Sequence, residues 1–317
     1  MTADPMTADL VVTGIGVVTE AVLDPEGERT KGWFDHRAEL GRGYKYLPKA
    51  GQYLLAATAR ALTDTGAELA GVPEHHRAIT VGTNNGMSEL QGEFDRTVMD
   101  GDSTLLSPAT VPYFSVNLVG SRVAMEHGLK GFSLGVHSPR VAGLEAVQHG
   151  VRALRAGRAR WLLTGAAESP LDPSEPGSAG SEDGAVALVV ERAEEVEARG
   201  GRVHGRVQVH SFLLPPPLAD SPRGRERAEL LLADAVATLG LRGRRPQVWL
   251  IGGDDTVTRT VEAALGEGVI RGRAGAGCLG PAVQVAALLR EAFVEQLVIG
   301  VAAQGNVSVA HVVPGSR

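Results

Sequence analysis

The residues best placed for chemistry lie in a short turn, His137 to Arg140, that follows an apolar run and precedes a helix rich in small residues. The dipole and free N–H groups at such a helix N-terminus stabilise an anion, so this turn is where a reactive thiolate would be favoured. The turn contains no cysteine, and the chain's single cysteine is Cys278. One cysteine excludes a disulfide framework and a cysteine-based zinc site.

Other candidate motifs indicate structure rather than chemistry. Gly14 and Gly16 lack the third glycine and the opening helix of a dinucleotide-binding loop, so we interpret them as a tight strand–loop turn. Residues 82–86 (GTNNG) lack the Lys-Ser/Thr of a phosphate loop and predict a simple turn. Five histidines show no pairing at metal-ligand spacing: His127, His149, His204, His210 and His311. We therefore expect neither a metal nor a cofactor.

Composition excludes several classes of protein. Of 317 residues, 43% are apolar and 21% charged, and the net charge of −6 without a basic run argues against a nucleic-acid surface. Arginines cluster at 223–227 and 242–245, which predicts solvated loops, with docking of an acidic partner as the alternative. No signal peptide or membrane-spanning run is visible, so we expect a cytoplasmic protein without membrane contact.

The hydrophobic pattern predicts an α/β fold with buried sheets, because strands alternate with helices of moderate length. The order of elements occurs twice, which suggests a duplicated core. Predicted strands span 10–18, 78–83, 131–136, 161–165, 184–190, 202–212, 248–251, 297–302 and 306–312. Predicted helices span 52–65, 112–127, 141–156, 193–198, 226–239, 256–265 and 282–293, and residues 20–48 are expected to be irregular.

The segment 129–168 resembles the β-ketoacyl synthases of the thiolase superfamily. In that family a strand is followed by a Thr-Ala-Cys-Ala-Ser-Gly turn, a helix, and a strand ending in a sequence like Gly-Gly-Ala-Glu; here the second strand ends in Gly-Ala-Ala-Glu. The resemblance runs through most of the chain in the same order. Further matching stretches are VVTGIGVVT (11–19), GQYLLAATARALTDTG (51–66), SPATVPYFSVNLVGSRVAMEHGLKG (107–131) and GSEDGAVALVVE (180–191).

The resemblance implies a thiolase-like single domain over 1–317, with helix–sheet–helix–sheet–helix layers and two similar halves, 8–200 and 201–317. It places the nucleophile position on Arg140, whose guanidinium stays protonated and cannot form a thioester. The two histidine positions fall on Asp254, in WLIGGDDTVT (249–258), and Gly277, in GAGCLGPAVQVAALL (275–289). Those histidines stabilise the enolate and thioester oxygen, so no catalytic residue is expected here.

Ketosynthase-like chains without the cysteine are familiar as chain length factors of type II polyketide synthases. The resemblance therefore implies a subunit that pairs with an active ketosynthase, reaches the acyl carrier protein through that complex, and shapes the acyl tunnel. The chain is shorter than ordinary ketosynthases, with the deficit near 20–48 and 168–184, so a complete acyl pocket is not assured. Residues expected at the tunnel or dimer seam are Pro112, Tyr113, Phe114, Val116, Phe132, Leu134 and Val136.

Two alternatives remain open at this point. A repurposed enzyme for acyl transfer, hydrolysis or decarboxylation would need His137, Ser138, Arg140 and Asp254 to meet in one pocket, with Ser138 as nucleophile or Arg140 and Asp254 binding a carboxylated substrate. A homodimeric module that binds an acyl group or a carrier protein is the third interpretation. For Tyr113 and Phe114, the alternative to a tunnel or seam position is that they are ordinary core aromatics.

Overall fold

Ten strands form one continuous sheet in the computed structural model, which describes residues 9–23, 32–66, 69–110, 113, 115 and 117–315. The strand order is β3-β2-β4-β5-β1-β6-β10-β9-β7-β8. The strands are β1 (Leu10–Thr19), β2 (Arg77–Thr83), β3 (Ser133–His137), β4 (Trp161–Glu168), β5 (Gly184–Arg192), β6 (Gly205–Leu213), β7 (Gln247–Gly252), β8 (Val269–Arg271), β9 (Gln296–Val301) and β10 (Asn306–Pro314).

Eleven α-helices connect these strands in the described part of the chain. They are α1 (Glu20–Leu23), α2 (His36–Leu40), α3 (Lys49–Thr65), α4 (Ser88–Asp100), α5 (Leu118–His127), α6 (Ala142–Arg155), α7 (Ala193–Ala198), α8 (Pro216–Ala219), α9 (Gly224–Thr238), α10 (Thr256–Leu265) and α11 (Leu279–Glu291). Within the described residues, no helix combines the length and the apolar character that crossing a bilayer requires.

The strand order of the first half is repeated in the second. The first five strands lie in the order β3-β2-β4-β5-β1, and the next five lie in the corresponding order β8-β7-β9-β10-β6. The two sets meet where β1 pairs with β6 at a single position, Val12 opposite Gly205. The division into halves at residue 200 stays a prediction, and this repetition supports it.

Two helices lie between the two sets of strands. Helix α6 contacts β2, β3 and β4 on one side and β6 and β10 on the other, and α11 contacts β4 and β5 as well as β9 and β10. One apolar cluster accordingly joins residues of both halves, such as Leu162 and Leu188 with Val147, Val285 and Val312. Helices α3 and α5 cover the outer face of the first set, and α9 and α10 that of the second. The predicted five-layer, thiolase-like α/β architecture is confirmed.

Strand β1 separates from its neighbour β6 immediately after this single pair. Side chains then make hydrogen bonds to the backbone N–H and C=O groups on its free edge. The carbonyl oxygens of Ile15 and Val17 accept hydrogen bonds from Arg290 (2.7 Å) and Arg60 (3.1 Å). The N–H of Ile15 donates to the Asp64 carboxylate at 2.9 Å. These contacts meet the rule that buried backbone groups find partners, and they let the two sheets diverge around α6 and α11.

The expectation of a turn at Gly14 and Gly16 is wrong, because both lie inside β1. A Cβ added to Gly16 would lie 1.8 Å from the carbonyl oxygen of Ala57, and one added to Gly14 would lie 2.2 Å from that of Ala61. Both glycines therefore allow the backbone of α3 to approach the sheet. This is a packing role, and it explains the spacing of the two glycines.

The sequence analysis missed five elements, of which one is the four-residue helix α8. Residues 20–48 contain the short helices α1 and α2, with residues 24–31 outside the described part. Helix α4 was not predicted, and its only buried residue is Phe94. Strand β8 has three residues and lies at one edge of the sheet. The predicted helix at 112–127 is shorter than expected and begins at Leu118.

Replacing Gly16 with alanine tests the close contact between β1 and α3. The added methyl group would overlap the backbone of α3, so we expect a loss of about 2 kcal/mol or more in unfolding free energy. Gly71→Ala is the matched control, because a Cβ there meets no atom within 4 Å, and it should change stability by less than about 0.5 kcal/mol. Urea denaturation followed by circular dichroism measures both; equal midpoints for the two variants would contradict the packing role.

Candidate functional site

The turn between β3 and α6 holds Arg140 in an unusual backbone conformation. Its φ of 59° is the only positive φ among the described residues other than glycine. The left-handed region is uncommon for residues with a Cβ and costs free energy unless the surroundings enforce it. The turn therefore has the sharp shape that would present a nucleophile, but it presents a guanidinium group.

The Arg140 side chain reaches across to the second half of the chain. Its Nη1 donates a 2.7 Å hydrogen bond to the carbonyl oxygen of Gly275, and its Nη2 lies 3.8 Å from the Cβ that Gly253 would carry. Burial lowers the pKa of the guanidinium, whereas the carboxylates of Glu182 and Asp255 act in the opposite direction. Arginine remains charged in proteins, so Arg140 is a cation held between loops that follow β7 and precede α11.

A buried carboxylate, that of Glu168 at the end of β4, organises the centre of the site. Its Oε1 accepts hydrogen bonds from the backbone N–H groups of Asn84 and Cys278, both at 2.8 Å. Its Oε2 accepts one from the N–H of Asn85 at 2.6 Å and a longer one from the Thr83 hydroxyl at 3.3 Å. Glu168 has no exposed surface. Burial raises the pKa of its carboxyl group despite these donors.

A second carboxylate, that of Glu182, caps the N-terminus of α11. Its oxygens accept hydrogen bonds from the N–H groups of Leu279 (3.0 Å) and Gly280 (2.8 Å). A carboxylate here is favoured by the helix dipole and satisfies donors that have no partner inside the helix. Burial raises the pKa of Glu182, and the nearby carboxylate of Glu168 adds to that rise.

Gly277 lies directly between the two carboxylates. A Cβ at this position would be 2.7 Å from Oε2 of Glu182 and 2.8 Å from Cδ of Glu168. The position that the resemblance assigns to a catalytic histidine therefore has no room for a side chain. It is surrounded by acceptors rather than by donors.

Cys278, the chain's only cysteine, is part of this packed centre and is fully buried. Burial, together with the carboxylates of Glu168 and Glu182, raises the pKa of its thiol well above the usual range. A thiol in this environment stays protonated, and the thiolate is the reactive form. Cys278 therefore does not replace a nucleophile at the turn.

The grouping of His137, Ser138, Arg140 and Asp254 that the repurposed-enzyme alternative would need is not formed. The Ser138 hydroxyl donates to Glu145 (2.5 Å), and Nε2 of His137 donates to the carbonyl oxygen of Asn84 (2.8 Å). The Asp254 side chain is 92% exposed and pairs with Arg259 at 2.7 Å.

The alternative in which Asp254 and Arg140 bind a carboxylated substrate in one pocket is thus not supported. The next residue, Asp255, is near the guanidinium: its Oδ2 lies 3.2 Å, and Nη2 of Arg140 3.8 Å, from the Cβ that Gly253 would carry. Asp255 also caps α10 by accepting from the N–H and hydroxyl of Thr258, both at 2.9 Å. The capping requirement of α10 decides which of the two neighbouring carboxylates turns inward.

Of the expected seam residues, Leu134 and Val136 lie on the edge strand β3 and Phe132 directly precedes it. Phe132 and Val136 are half-buried and pack on the central apolar cluster. Leu134 lines a cavity of about 300 Å³ between β3 and α5. Tyr113 packs on the cluster around α3, as a core aromatic would. Pro112, Phe114 and Val116 lie outside the described residues.

Sequence reasoning missed the carboxylate centre, although one signal was present. Glu168 was noted only as the end of a family-like strand, and residues 82–86 only as a turn. Their backbone N–H groups and the Glu168 carboxylate meet because β2 and β4 are parallel neighbours and end at the same edge. An acidic residue ending an otherwise apolar strand is the signal that could have indicated this centre.

A family model described as "Beta-ketoacyl synthase, N-terminal domain" matches residues 42–195. The solved structure of the ishigamide ketosynthase/chain length factor superimposes with a TM-score of 0.76, covering 98% of this chain and all of that chain at 16% identity. The chain has a ketosynthase fold. The resemblance found in segment 129–168 is thereby confirmed.

Curated relatives include a 3-oxoacyl-[acyl-carrier-protein] synthase and a ketoacyl synthase beta subunit. The 3-oxoacyl-[acyl-carrier-protein] synthase 2 of Vibrio cholerae is 24% identical over 258 residues, which is 71% of this chain and 61% of that protein. The tetracenomycin polyketide synthase ketoacyl synthase beta subunit of Streptomyces glaucescens is 26% identical over 226 residues, which is 62% of this chain and 55% of that protein. This ketosynthase-like chain therefore matches little more than half the length of these relatives.

Glu168→Gln tests whether the buried carboxylate holds the centre together. Either orientation of the glutamine amide directs an NH₂ group at a backbone N–H, so we expect a loss of about 2–4 kcal/mol in unfolding free energy. Glu267→Gln is the control, because Glu267 is an exposed turn residue and should change stability by less than about 0.5 kcal/mol. Urea titration gives both free energies of unfolding. Similar losses of stability in the two variants would contradict a central role for Glu168.

Proposed function

We propose that this chain is a non-catalytic ketosynthase-like subunit, similar to a chain length factor, that pairs with an active ketosynthase and shapes its acyl tunnel. One observation carries the proposal: the turn that would present the nucleophile holds Arg140. A guanidinium group has no lone pair available for attack and cannot carry an acyl group as a thioester. Arg140 therefore supports a turn that does not carry an acyl chain as a thioester.

The surroundings of Arg140 support the same conclusion. Condensation and malonyl decarboxylation need donors or cations where an enolate or thioester oxygen develops negative charge. At Gly277 the nearest groups are the carboxylates of Glu168 and Glu182, and both are already engaged with backbone N–H groups. Negative charge at this point would destabilise an enolate rather than stabilise it.

The open edge of the sheet supports a pairing role. Strand β3 pairs only with β2 in the described structure, and Ser133, Gly135 and His137 are exposed along it. An unpaired edge strand is a template for pairing with another chain. Similarity to the tetracenomycin beta subunit is consistent with a ketosynthase as the partner. Pairing would place the cavity lined by Leu134 beside the partner, where a growing acyl chain could extend.

Reconstitution tests the proposal. The purified chain is combined with a candidate ketosynthase and malonyl-loaded acyl carrier protein, and products are measured by mass spectrometry. The proposal expects a stable one-to-one complex, no acyl product from this chain alone, and a changed product length when Leu134 is replaced with tryptophan. Condensation, hydrolysis or decarboxylation by the chain alone would overturn it.

Ser133→Lys tests whether β3 is the pairing surface. A lysine on an edge strand opposes pairing, because its charge would have to be desolvated at the junction. We expect at least about tenfold weaker binding of the ketosynthase, measured by biolayer interferometry. Ala263→Lys, at an exposed position of α10 in the other half, is the control and should bind as the unmodified chain does. Unchanged binding of the Ser133 variant would exclude β3 as the surface.

A further inference from the structure

One face of α6 is left open by the layers around it. Four residues of α6 are not buried, Glu145, His149, Arg152 and Arg155, and their spacings of four, three and three place them in one line. The sheets cover α6 above and below, and α11 packs beside it. The line therefore lies on the remaining side, next to the open edge at β3. The hydrogen bond from Ser138 to Glu145 fixes Glu145 beside the end of that strand.

The position of Glu145 along the direction of strand β3, called its height below, follows from the packing of α6 on β2. A Cβ on Gly82 would touch the carbonyl of Ala142, and the Thr80 hydroxyl donates to the carbonyl oxygen of Ala146 at 2.8 Å. In the register of β2 with β3, Gly82 lies opposite Val136 and Thr80 opposite Leu134. Glu145 is thus level with the residue between them, Gly135, which is the middle residue of β3.

This height matters if a second copy of the chain pairs with β3. An antiparallel pair of five-residue strands keeps most hydrogen bonds when its twofold axis passes through Gly135. The two Glu145 carboxylates would then lie at the same height on either side of the axis. Arg152 is seven residues, or about 10 Å, further along α6, so the arginine of one copy would not oppose the glutamate of the other.

We infer that Glu145 determines partner choice at this edge: it disfavours a second copy and favours a ketosynthase-fold subunit with a neutral or basic residue facing it. The inference rests on the proposed function, because it assumes that β3 is the pairing strand. Like charges placed together at an interface suppress the wrong partner, while an opposite charge supports the right one. Glu145 is a specificity-determining residue and not a catalytic one.

Self-association of four variants tests this inference by analytical ultracentrifugation at low and high salt. Glu145→Gln keeps an acceptor for Ser138 and removes the charge, so it should form homodimers at least about fivefold more tightly than the unmodified chain at low salt. This difference should shrink at high salt because the repulsion is screened. Glu197→Gln, on α7, is the matched control and should leave self-association unchanged. Ser138→Ala controls for loss of the local hydrogen bond.

A charge swap gives the most direct reading. Glu145→Lys should not form homodimers with itself, since two lysines would then face each other, but an equimolar mixture with the unmodified chain should give mixed dimers. Equal self-association of the unmodified chain and the Glu145→Gln variant, or a mixture without preference for mixed dimers, would overturn the inference. Binding of the ketosynthase is measured separately, so failure of the proposed function is distinguished from failure of this inference.

Discussion

A single buried carboxylate connects the parts of this chain that an active site would require. Glu168 ends β4, and its oxygens bind backbone N–H groups of the loop after β2 and of the segment that begins α11. These groups come from both halves of the chain. Removing a carboxylate from water costs free energy, and only a full set of donors offsets that cost. The position of α11 relative to the first sheet therefore depends on Glu168, as does the space around Gly277.

The same arrangement explains why the architecture and the chemistry are separable here. The sharp turn, the small-residue helix and the central pair of helices are all retained. The charged groups at this site are one cation, Arg140, and the carboxyl groups of Glu168, Glu182 and Asp255. Arg140 balances part of this charge and contacts the carbonyl of Gly275 across the two halves. The Arg140 guanidinium thus holds two loops of the chain together.

Sequence patterns predicted the buried strands and long helices well, because their apolar residues follow the periods of strand and helix. Helix α4 was missed because it buries little more than Phe94 and contains Gly92, so its pattern resembles a loop. The alternative interpretation as an enzyme used Asp254, the residue that the resemblance aligns with a histidine, whereas the carboxylate near Arg140 is that of Asp255. Only the start of α10, which needs a cap, decides between them. The glycines of β1 were misread because close approach of α3 is a tertiary property.

The duplicated sheet ends in two edges that are not equivalent. At one end, β8 has three residues, and its Arg271 donates to the carbonyl oxygen of Gly253 (3.4 Å) within the chain's own loops. At the other end, β3 has five residues, exposes alternate positions, and runs directly into the turn that holds Arg140. A partner strand paired with β3 would therefore end within three residues of Arg140.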